Sequence, residues 1–336
     1  MDAIVLVGGQ GTRLRPLTAT RHKSLVPLLN RPAIEYLFDW LARSGIDRVV
    51  LALGQSNEDL AARYPAGRRG AIEIVPIAEK ERLESGGAIR HAVRTAGIEG
   101  RFVVLNGDVY ADFDFHAAFQ AHVRFGADLT LALHEEDDPS QFGVAVVDAE
   151  GLVTGFVEKP PRGEAPSRLV NAGVWIFEPG LVDEIPAGAV RVEETLFPSL
   201  VARRRRVLGY RFEGHWADLG TPRRYLALSR ALLGGANDIA AGASIAGDAE
   251  VAGSALGPGS AVGSCARVVD SILWEGVTVG TGAVVERSIL ADGVTVGEGA
   301  TAVGVIAGKG ASIGPGTVVP EGTSIDPGGR YDGSHG

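Results

Sequence analysis

Up to about residue 233, short runs of β-branched and aliphatic residues alternate with segments of helical periodicity. That alternation predicts βα units around a mostly parallel sheet with helices on both faces, a Rossmann-like α/β architecture. The expected strands are Ala3 to Val7, Arg48 to Leu53, Ile72 to Pro76, Phe102 to Leu105, Leu129 to Leu133 and Leu152 to Val157. Between the first two, Ile34, Leu37, Phe38 and Leu41 recur at helical spacing behind Pro32, a residue suited to a first helical turn.

Beyond residue 237 the texture changes. Glycine becomes frequent, aromatic residues nearly vanish, and aliphatic residues recur every sixth position: Ile239, Ile245 and Val251, then Val262 and Val268. A second phase follows in Val277-Thr278-Val279-Gly280, Val294-Thr295-Val296-Gly297 and Ser312-Ile313-Gly314. Such a period predicts a left-handed parallel β-helix of hexapeptide repeats, each coil burying its aliphatic positions against the coils above and below. The expected division is a catalytic domain over 1–233, a β-helix over 237–326 and a flexible tail over 327–336. Acyltransferases built on such repeats rely on a histidine base, and after His215 the only histidine is His335. An assembly or regulatory module is therefore the expected role of the repeats.

Composition narrows the function classes. The chain has 336 residues, 45% of them hydrophobic and 22% charged, enough for real cores in two unequal domains. Its formal net charge of -9 argues against duplex nucleic acid and anionic membrane as partners, so any phosphate ligand needs a local cluster of donors. The run Arg203-Arg204-Arg205-Arg206 is expected to be a solvated surface feature in this acidic setting. A single cysteine, Cys265, suits a reducing compartment, and no basic region precedes the short apolar run that ends at Val7; a cytoplasmic protein is expected.

Three motifs carry chemistry. Gly8-Gly9-Gln10-Gly11-Thr12-Arg13-Leu14-Arg15-Pro16-Leu17-Thr18 directly follows the first strand, where glycines at 8, 9 and 11 let the backbone approach a ligand and aim N–H groups at phosphate oxygens. Its spacing departs from the dinucleotide fingerprint, because an arginine stands where a helix-packing glycine belongs. Lys23 lies ten residues beyond Arg13. Leu105-Asn106-Gly107-Asp108 ends a buried strand in a carboxylate, at the edge where open α/β sheets place ligands. Asp108 on its own reads equally as a turn residue or as a ligand of a hard cation such as magnesium. Trp216-Ala217-Asp218-Leu219-Gly220-Thr221 offers a second carboxylate.

From Gly8 to Pro32, and through most of the first 233 residues, the chain resembles the sugar-phosphate nucleotidylyltransferases. Within that family it is similar to mannose-1-phosphate guanylyltransferases, with echoes of muramic acid 1-phosphate uridylyltransferases. The resemblance implies that Leu6, Gly8, Gly9, Gly11, Thr12 and Arg13 hold the nucleotide and that Lys23 meets the phosphates at the reaction centre. It implies one magnesium ion on Asp108 and Asp218. Glu158, in Glu158-Lys159-Pro160, would accept from sugar hydroxyls, and Lys159 would pair with the sugar phosphate. Asn171, in Asn171-Ala172-Gly173, and Gly143 would line the sugar side, and Glu193 would reach another hydroxyl. Ser85 and Gly86, in Leu83-Glu84-Ser85-Gly86-Gly87-Ala88, would lie along the nucleobase, although guanylyltransferases usually carry threonine in that segment. A second departure flanks the lysine, where the family commonly has proline on both sides and this chain has His22 and Ser24.

The expected reaction joins an NTP, GTP favoured, to a sugar 1-phosphate, mannose 1-phosphate favoured, with release of pyrophosphate and a homo-oligomer assembled through the β-helix. The alternatives are a thymidylyl- or uridylyltransferase on another sugar 1-phosphate, a bifunctional acetyltransferase, or a non-catalytic regulatory subunit.

Overall fold

The computed structural model describes residues 1–55 and 57–333. They form two compact units, one comprising Met1–Gly9 with Ile34–Trp216, the other comprising Gln10–Ala33 with the chain from Ala217 onward.

The first unit is built on a ten-stranded sheet. Asp2–Leu6 lies at its centre, parallel to Arg48–Leu53 on one side and to Phe102–Asn106 on the other, and Ile72–Ala78 continues the parallel order. The interiors of the first three runs are apolar because those strands are buried on both faces, whereas Ile72–Ala78 leaves Glu73 and Ala78 exposed. The other half of the sheet is mostly antiparallel: Leu169–Phe177 runs against Phe102–Asn106, Gly143–Val147 and Leu129–Glu135, Gly143–Val147 forms a hairpin with Val153–Glu158, and Val207–Arg211 pairs in parallel with Leu129–Glu135. The sheet is thus mixed, parallel at its core as expected and antiparallel on the flank. Leu169–Phe177 carries a register shift between Asn171 and Trp175, and this irregularity lets one long strand serve two neighbours on its far side.

Helix Glu84–Ala96 packs on Asp2–Leu6 and Arg48–Leu53, Phe115–Phe125 on Leu129–Glu135 and Val207–Arg211, and Leu196–Ala202 on Val153–Glu158. Ile4, Val50, Ile89, Val104, Leu131, Trp175 and Phe197 belong to one apolar cluster. Helix ends follow capping chemistry: Asp114 accepts from Ala117 N at 3.0 Å, and Gly126 takes a left-handed φ of 60° at the other end of that helix. In the arginine run Arg203, Arg204 and Arg206 are exposed, as expected of a solvated feature, and Arg205 is half-buried. Arg205 spans Asp128 at 2.9 and 3.0 Å and Glu184 at 2.9 Å, and these carboxylates hold its pKa above the ordinary value.

In the second unit the hexapeptide repeats wind into three parallel sheets. Positions stack on those 17 residues later, as when Ser271 N donates to Ser254 Oγ, and the step lengthens to 18 in the pairings of Ile306–Ala307 and Ser312–Ile313. One sheet runs Asp238–Ile239, Ala255–Leu256, Ile272–Leu273, Ile289–Leu290, Ile306–Ala307, Ser324–Ile325, all in parallel register. The inward residues, among them Leu256, Val262, Val268, Leu273, Val279 and Val285, form a separate apolar core. This is the architecture expected of a left-handed β-helix. The coil runs past Pro327, where the sequence reading places a flexible tail, because Arg330–Tyr331 pairs with Ser312–Ile313. His335 lies outside the described residues.

The segment Gln10–Ala33 and the helix Pro222–Leu233 group with the β-helix. The reason is specific bonding: Asn30 Nδ2 donates to Asp238 Oδ2 at 3.0 Å and to Leu256 O at 3.2 Å, and Trp274 Nε1 donates to Tyr225 Oη at 3.0 Å.

Candidate active site

The first unit brings the glycine turn and Asp108 to one edge. Leu6 sits beside both Ala52 and Asn106 in register, so Gly8 and Asp108 both leave the sheet at the carboxyl ends of adjacent parallel strands. Gly107 N closes this edge by donating to Leu6 O at 2.9 Å, and Asn57 Nδ2 donates to Val7 O at 2.6 Å. Gly8 and Gly9 are exposed, and Asp108 is half-buried. A Cβ on Gly54 would stand 2.7 Å from Gly8 Cα, so the turn lies against its neighbour with no room for a side chain there.

On the antiparallel flank Gly143 and Lys159, two of the residues expected on the sugar side, meet around Glu158. Lys159 Nζ is 3.1 Å and Arg191 Nη2 is 3.7 Å from Glu158 Oε1. Gly143 faces Glu158 across the hairpin, and a Cβ on it would fall 2.8 Å from Glu158 Oε2 and 2.5 Å from Phe156 Cζ. Lys159 N donates to Phe142 O at 2.9 Å, tying the loop before Gly143 to the exposed lysine. Asn171 Oδ1 accepts from Trp175 Nε1 at 2.7 Å and from Gly173 N at 3.1 Å across the strand irregularity.

Ser85 and Glu193, distant in sequence, form a bonded pair at 2.6 Å. Glu193 is buried, and desolvation raises its pKa against the lowering effect of the Ser85 bond, with Glu158 adding to the rise. Gly86 N donates to Val190 O at 2.8 Å. The Ser85 hydroxyl and the Gly86 amide, expected along the nucleobase, are therefore both engaged with the segment from Val190 to Glu193. Arg191 is the residue that sequence reading missed. Burial works to lower its pKa, and Glu193, Glu158 and Glu194 outweigh that and hold it charged. Arg191 opens a turn in which Glu194 N and Thr195 N both donate to its carbonyl, at 3.2 and 3.0 Å, so no strand or helix period marks it in the sequence.

In the second unit Gly11 adopts a φ of 62°, and its carbonyl accepts from Leu14 N and from Thr18 Oγ1 at 2.7 Å. A Cβ on Gly11 would lie 3.1 Å from Lys23 Cβ, so the stem of the lysine stands directly over the glycine turn. Lys23–Leu25 is a short 3-10 turn capped by His22, whose Nδ1 accepts from Ser24 N at 3.2 Å. His22 has a φ of -60°, the value a proline would impose, and its side-chain bond adds local order to the turn. Thr12 and Arg13 are exposed. Asp218 is paired with Arg224, and a Cβ on Gly220 would meet both Asp218 Oδ2 and Arg13 Nη2, at 2.2 and 3.4 Å. Arg13 and Asp218 thus stand side by side.

Among the described residues no group of three or more His, Cys, Asp or Glu side chains is arranged to hold a metal. Asp108 in the first unit and Asp218 in the second are each hard oxygen donors, the ligand type that suits magnesium. Among the described residues no helix is long and apolar enough to cross a membrane.

Residues 2–234 match the family described as Nucleotidyl transferase, and residues 234–331 match the GlmU-like, C-terminal hexapeptide family. The chain belongs to the nucleotidyl transferase family. It is 34% identical over 242 residues to the mannose-1-phosphate guanylyltransferase of Mycobacterium tuberculosis, covering 70% of this chain and 65% of that protein. It is 33% identical over 227 residues to the mannose-1-phosphate guanylyltransferase catalytic subunit beta of Drosophila melanogaster, covering 67% and 60%. The match therefore spans less than two thirds of either relative's length. Among solved structures, HddC from Yersinia pseudotuberculosis complexed with GMP-PN superposes with a TM-score of 0.58 at 24% identity, over 69% of this chain and 99% of that one. A Bacillus anthracis protein solved with sucrose gives 0.62 at 22%, over 69% and 94%. These two likenesses are of fold.

Proposed function

We propose that the chain transfers a nucleoside monophosphate from an NTP, GTP by preference, to a sugar 1-phosphate, mannose 1-phosphate by preference, releasing pyrophosphate. The observation that carries this reading is the family match over residues 2–234 together with the presence of Gly8, Gly9, Gly11, Arg13, Lys23, Asp108, Lys159 and Asp218 at the motif positions. The relatives' names supply the substrates of choice.

In the proposed mechanism a phosphate oxygen of the sugar 1-phosphate attacks the α-phosphorus of the nucleotide, and the bond to the β,γ-diphosphate breaks with its electrons leaving on pyrophosphate. The Gly8 to Gly11 backbone and Thr12 cradle the triphosphate, with Leu6 beneath the nucleotide. Arg13 and Lys23 offset the charge that grows on the leaving group, and Lys159 holds the attacking phosphate. Glu158, Asn171, Glu193 and the backbone at Gly143 orient the sugar, and the segment of Ser85 and Gly86 bounds the base. Asp108 and Asp218 would hold magnesium, which supplies charge neutralisation at the phosphates.

Purified protein mixed with magnesium, each of five triphosphates and several hexose 1-phosphates, and scored by pyrophosphate, tests this reading. The expected outcome is release that requires both substrates and is greatest with GTP and mannose 1-phosphate. Silence across the whole matrix would favour the regulatory-subunit alternative. We further assign the protein to the cytoplasm, on its single cysteine, and the β-helix to self-association, supported by Ile239, Ile245 and Val318 standing exposed at 39%, 39% and 69%. A monomeric mass in light scattering at micromolar concentration overturns the latter.

A further inference from the structure

The segment Gln10–Ala33 carries both Arg13 and Lys23, and the β-helix grips it on both sides of the lysine. Before Lys23, Arg21 Nη2 donates to Asp292 Oδ2 at 2.7 Å, and the same guanidinium lies 5.0 Å from the ring centroid of Trp274. After Lys23, the Tyr225 hydroxyl donates to Pro27 O while accepting from Trp274 Nε1 at 3.0 Å. Asn30 Nδ2 then reaches Asp238 O at 3.2 Å, Asp238 Oδ2 at 3.0 Å and Leu256 O at 3.2 Å. Trp274 is buried and touches both ends of this arrangement: its ring receives Arg21 and its N–H fixes the tyrosine that holds Pro27. Asp292 Oδ1 is buried without a hydrogen-bond partner, so the carboxylate is committed to Arg21. Asp292 as a whole is half-buried, 16% exposed, and releasing the arginine would leave its buried oxygen and its charge without a partner.

We propose that Arg21, clamped between Asp292 and Trp274 of the β-helix, is a positioning residue for the transfer reaction, fixing the turn from which Lys23 acts. The β-helix then contributes to turnover through this loop, beyond any part it has in assembly. The turn itself is a three-residue 3-10 segment, closed by Leu25 N to His22 O at 2.9 Å and Val26 N to Lys23 O at 3.2 Å and capped by His22. Its geometry is set by the anchors at residues 21, 27 and 30. A displacement of about 1 Å in a group that meets transition-state charge costs on the order of 100-fold in rate, and such a loss falls on kcat.

The inference rests on the proposed transferase reading, and its test separates the two. Full-length Arg21→Ala, Arg21→Lys, Asp292→Asn and the double variant Arg21→Ala/Asp292→Asn are assayed for pyrophosphate release with GTP and mannose 1-phosphate. Hydrogen exchange is followed over residues 18–30 of the same proteins. Arg21→Ala and Asp292→Asn should each lower kcat at least about tenfold with KM for either substrate within about twofold. The double variant should fall no further than the worse single one, Arg21→Lys should recover part of the loss, and exchange should quicken in the turn while the sheet stays protected. Unchanged kcat in both single variants, or losses that multiply in the double variant, would overturn the proposal. Should Arg21→Ala fail to fold, the near-isosteric Asp292→Asn still decides it. If the wild-type protein releases no pyrophosphate at all, the transferase reading fails; unaltered exchange over residues 22–26 in both single variants then removes the clamp as well, and quickened exchange there sustains it.

Discussion

The Ser85 hydroxyl donates to Glu193 Oε2 at 2.6 Å while accepting from Val192 N at 3.1 Å, so one small side chain ties the start of helix Glu84–Ala96 to the segment that holds a buried acid. Burial raises the Glu193 pKa above its ordinary 4.5. The folded protein therefore binds this proton more tightly than the unfolded chain does. Its contribution to stability is present below 4.5 and is lost as pH rises through the folded value. Glu193→Gln removes that loss, so the variant should melt above wild type at about pH 8, with the gap closing toward about pH 4. Its KM for the sugar phosphate should rise about tenfold if a sugar hydroxyl is the partner. Melting curves across that range and steady-state kinetics check both.

Gly143→Ala should act on the same side of the site by a steric route. The new methyl would fall 2.5 Å from Phe156 Cζ and 2.8 Å from Glu158 Oε2. Both neighbours must shift. Overpacking of this kind costs about 1–3 kcal/mol, and displacement of Glu158 should raise KM for the sugar phosphate roughly tenfold with a smaller change for the nucleotide. Urea unfolding and initial rates with each substrate varied in turn measure the two effects. An unchanged sugar-phosphate KM would remove Glu158 from the sugar side.

Local pattern made some parts of this protein legible and left others hidden. Asp2–Leu6, Arg48–Leu53 and Phe102–Asn106 announce themselves as apolar runs because their strands are covered on both faces. The hexapeptide repeat is equally plain, since successive coils from Leu256 onward repeat the same burial, although Ile239 and Ile245 of the first coil, expected to face inward, stand exposed. The antiparallel flank was not legible, because the partners of Leu169–Phe177 are set by register across residues far apart in sequence. For the same reason the glycine turn and Asp108 could be placed at a strand edge from sequence, whereas the Ser85–Glu193 pair, the charge held on Arg191 and the anchoring of Arg21 could not. Arg205 shows the limit of composition: in a run of four arginines, only the fold reveals that Asp128 and Glu184 receive it.

The departure from proline on both sides of Lys23 leads to a third prediction. His22 caps the turn by accepting from Ser24 N, and its φ of -60° is already that of proline. His22→Ala loses the cap and should cost about 0.5–2 kcal/mol, with increased freedom of the turn and a lower kcat. His22→Pro loses the same bond, but its ring restricts the unfolded chain and returns about 0.4–1 kcal/mol. The proline variant should therefore be the more stable and the more active of the two. Equal melting temperatures and equal kcat in the two variants would mean that the proline ring adds no order, and a His22→Ala protein that matches wild type in both would mean that the imidazole bond does not order the turn.

Serines 254, 271 and 288 form a buried ladder along one corner of the β-helix. Ser271 Oγ accepts from Ser288 N at 3.1 Å and donates to Val269 O at 2.7 Å, while Ser271 N donates to Ser254 Oγ at 3.0 Å. Ser271 and Ser288 are buried, so Ser271→Ala leaves an amide with no acceptor and no water to replace it. An unsatisfied buried donor costs about 1–3 kcal/mol, whereas loss of the exposed Ser264 hydroxyl should change stability by less than about 0.5 kcal/mol. Each coil leans on the next through such bonds, so the damage should spread along the stack and reach Trp274, three residues on, and the loop it helps to hold. Urea titration of Ser271→Ala and Ser264→Ala should show a lower midpoint for the first alone, at an unchanged slope. Equal midpoints would mean that the ladder is ornament to a stack held by its aliphatic core.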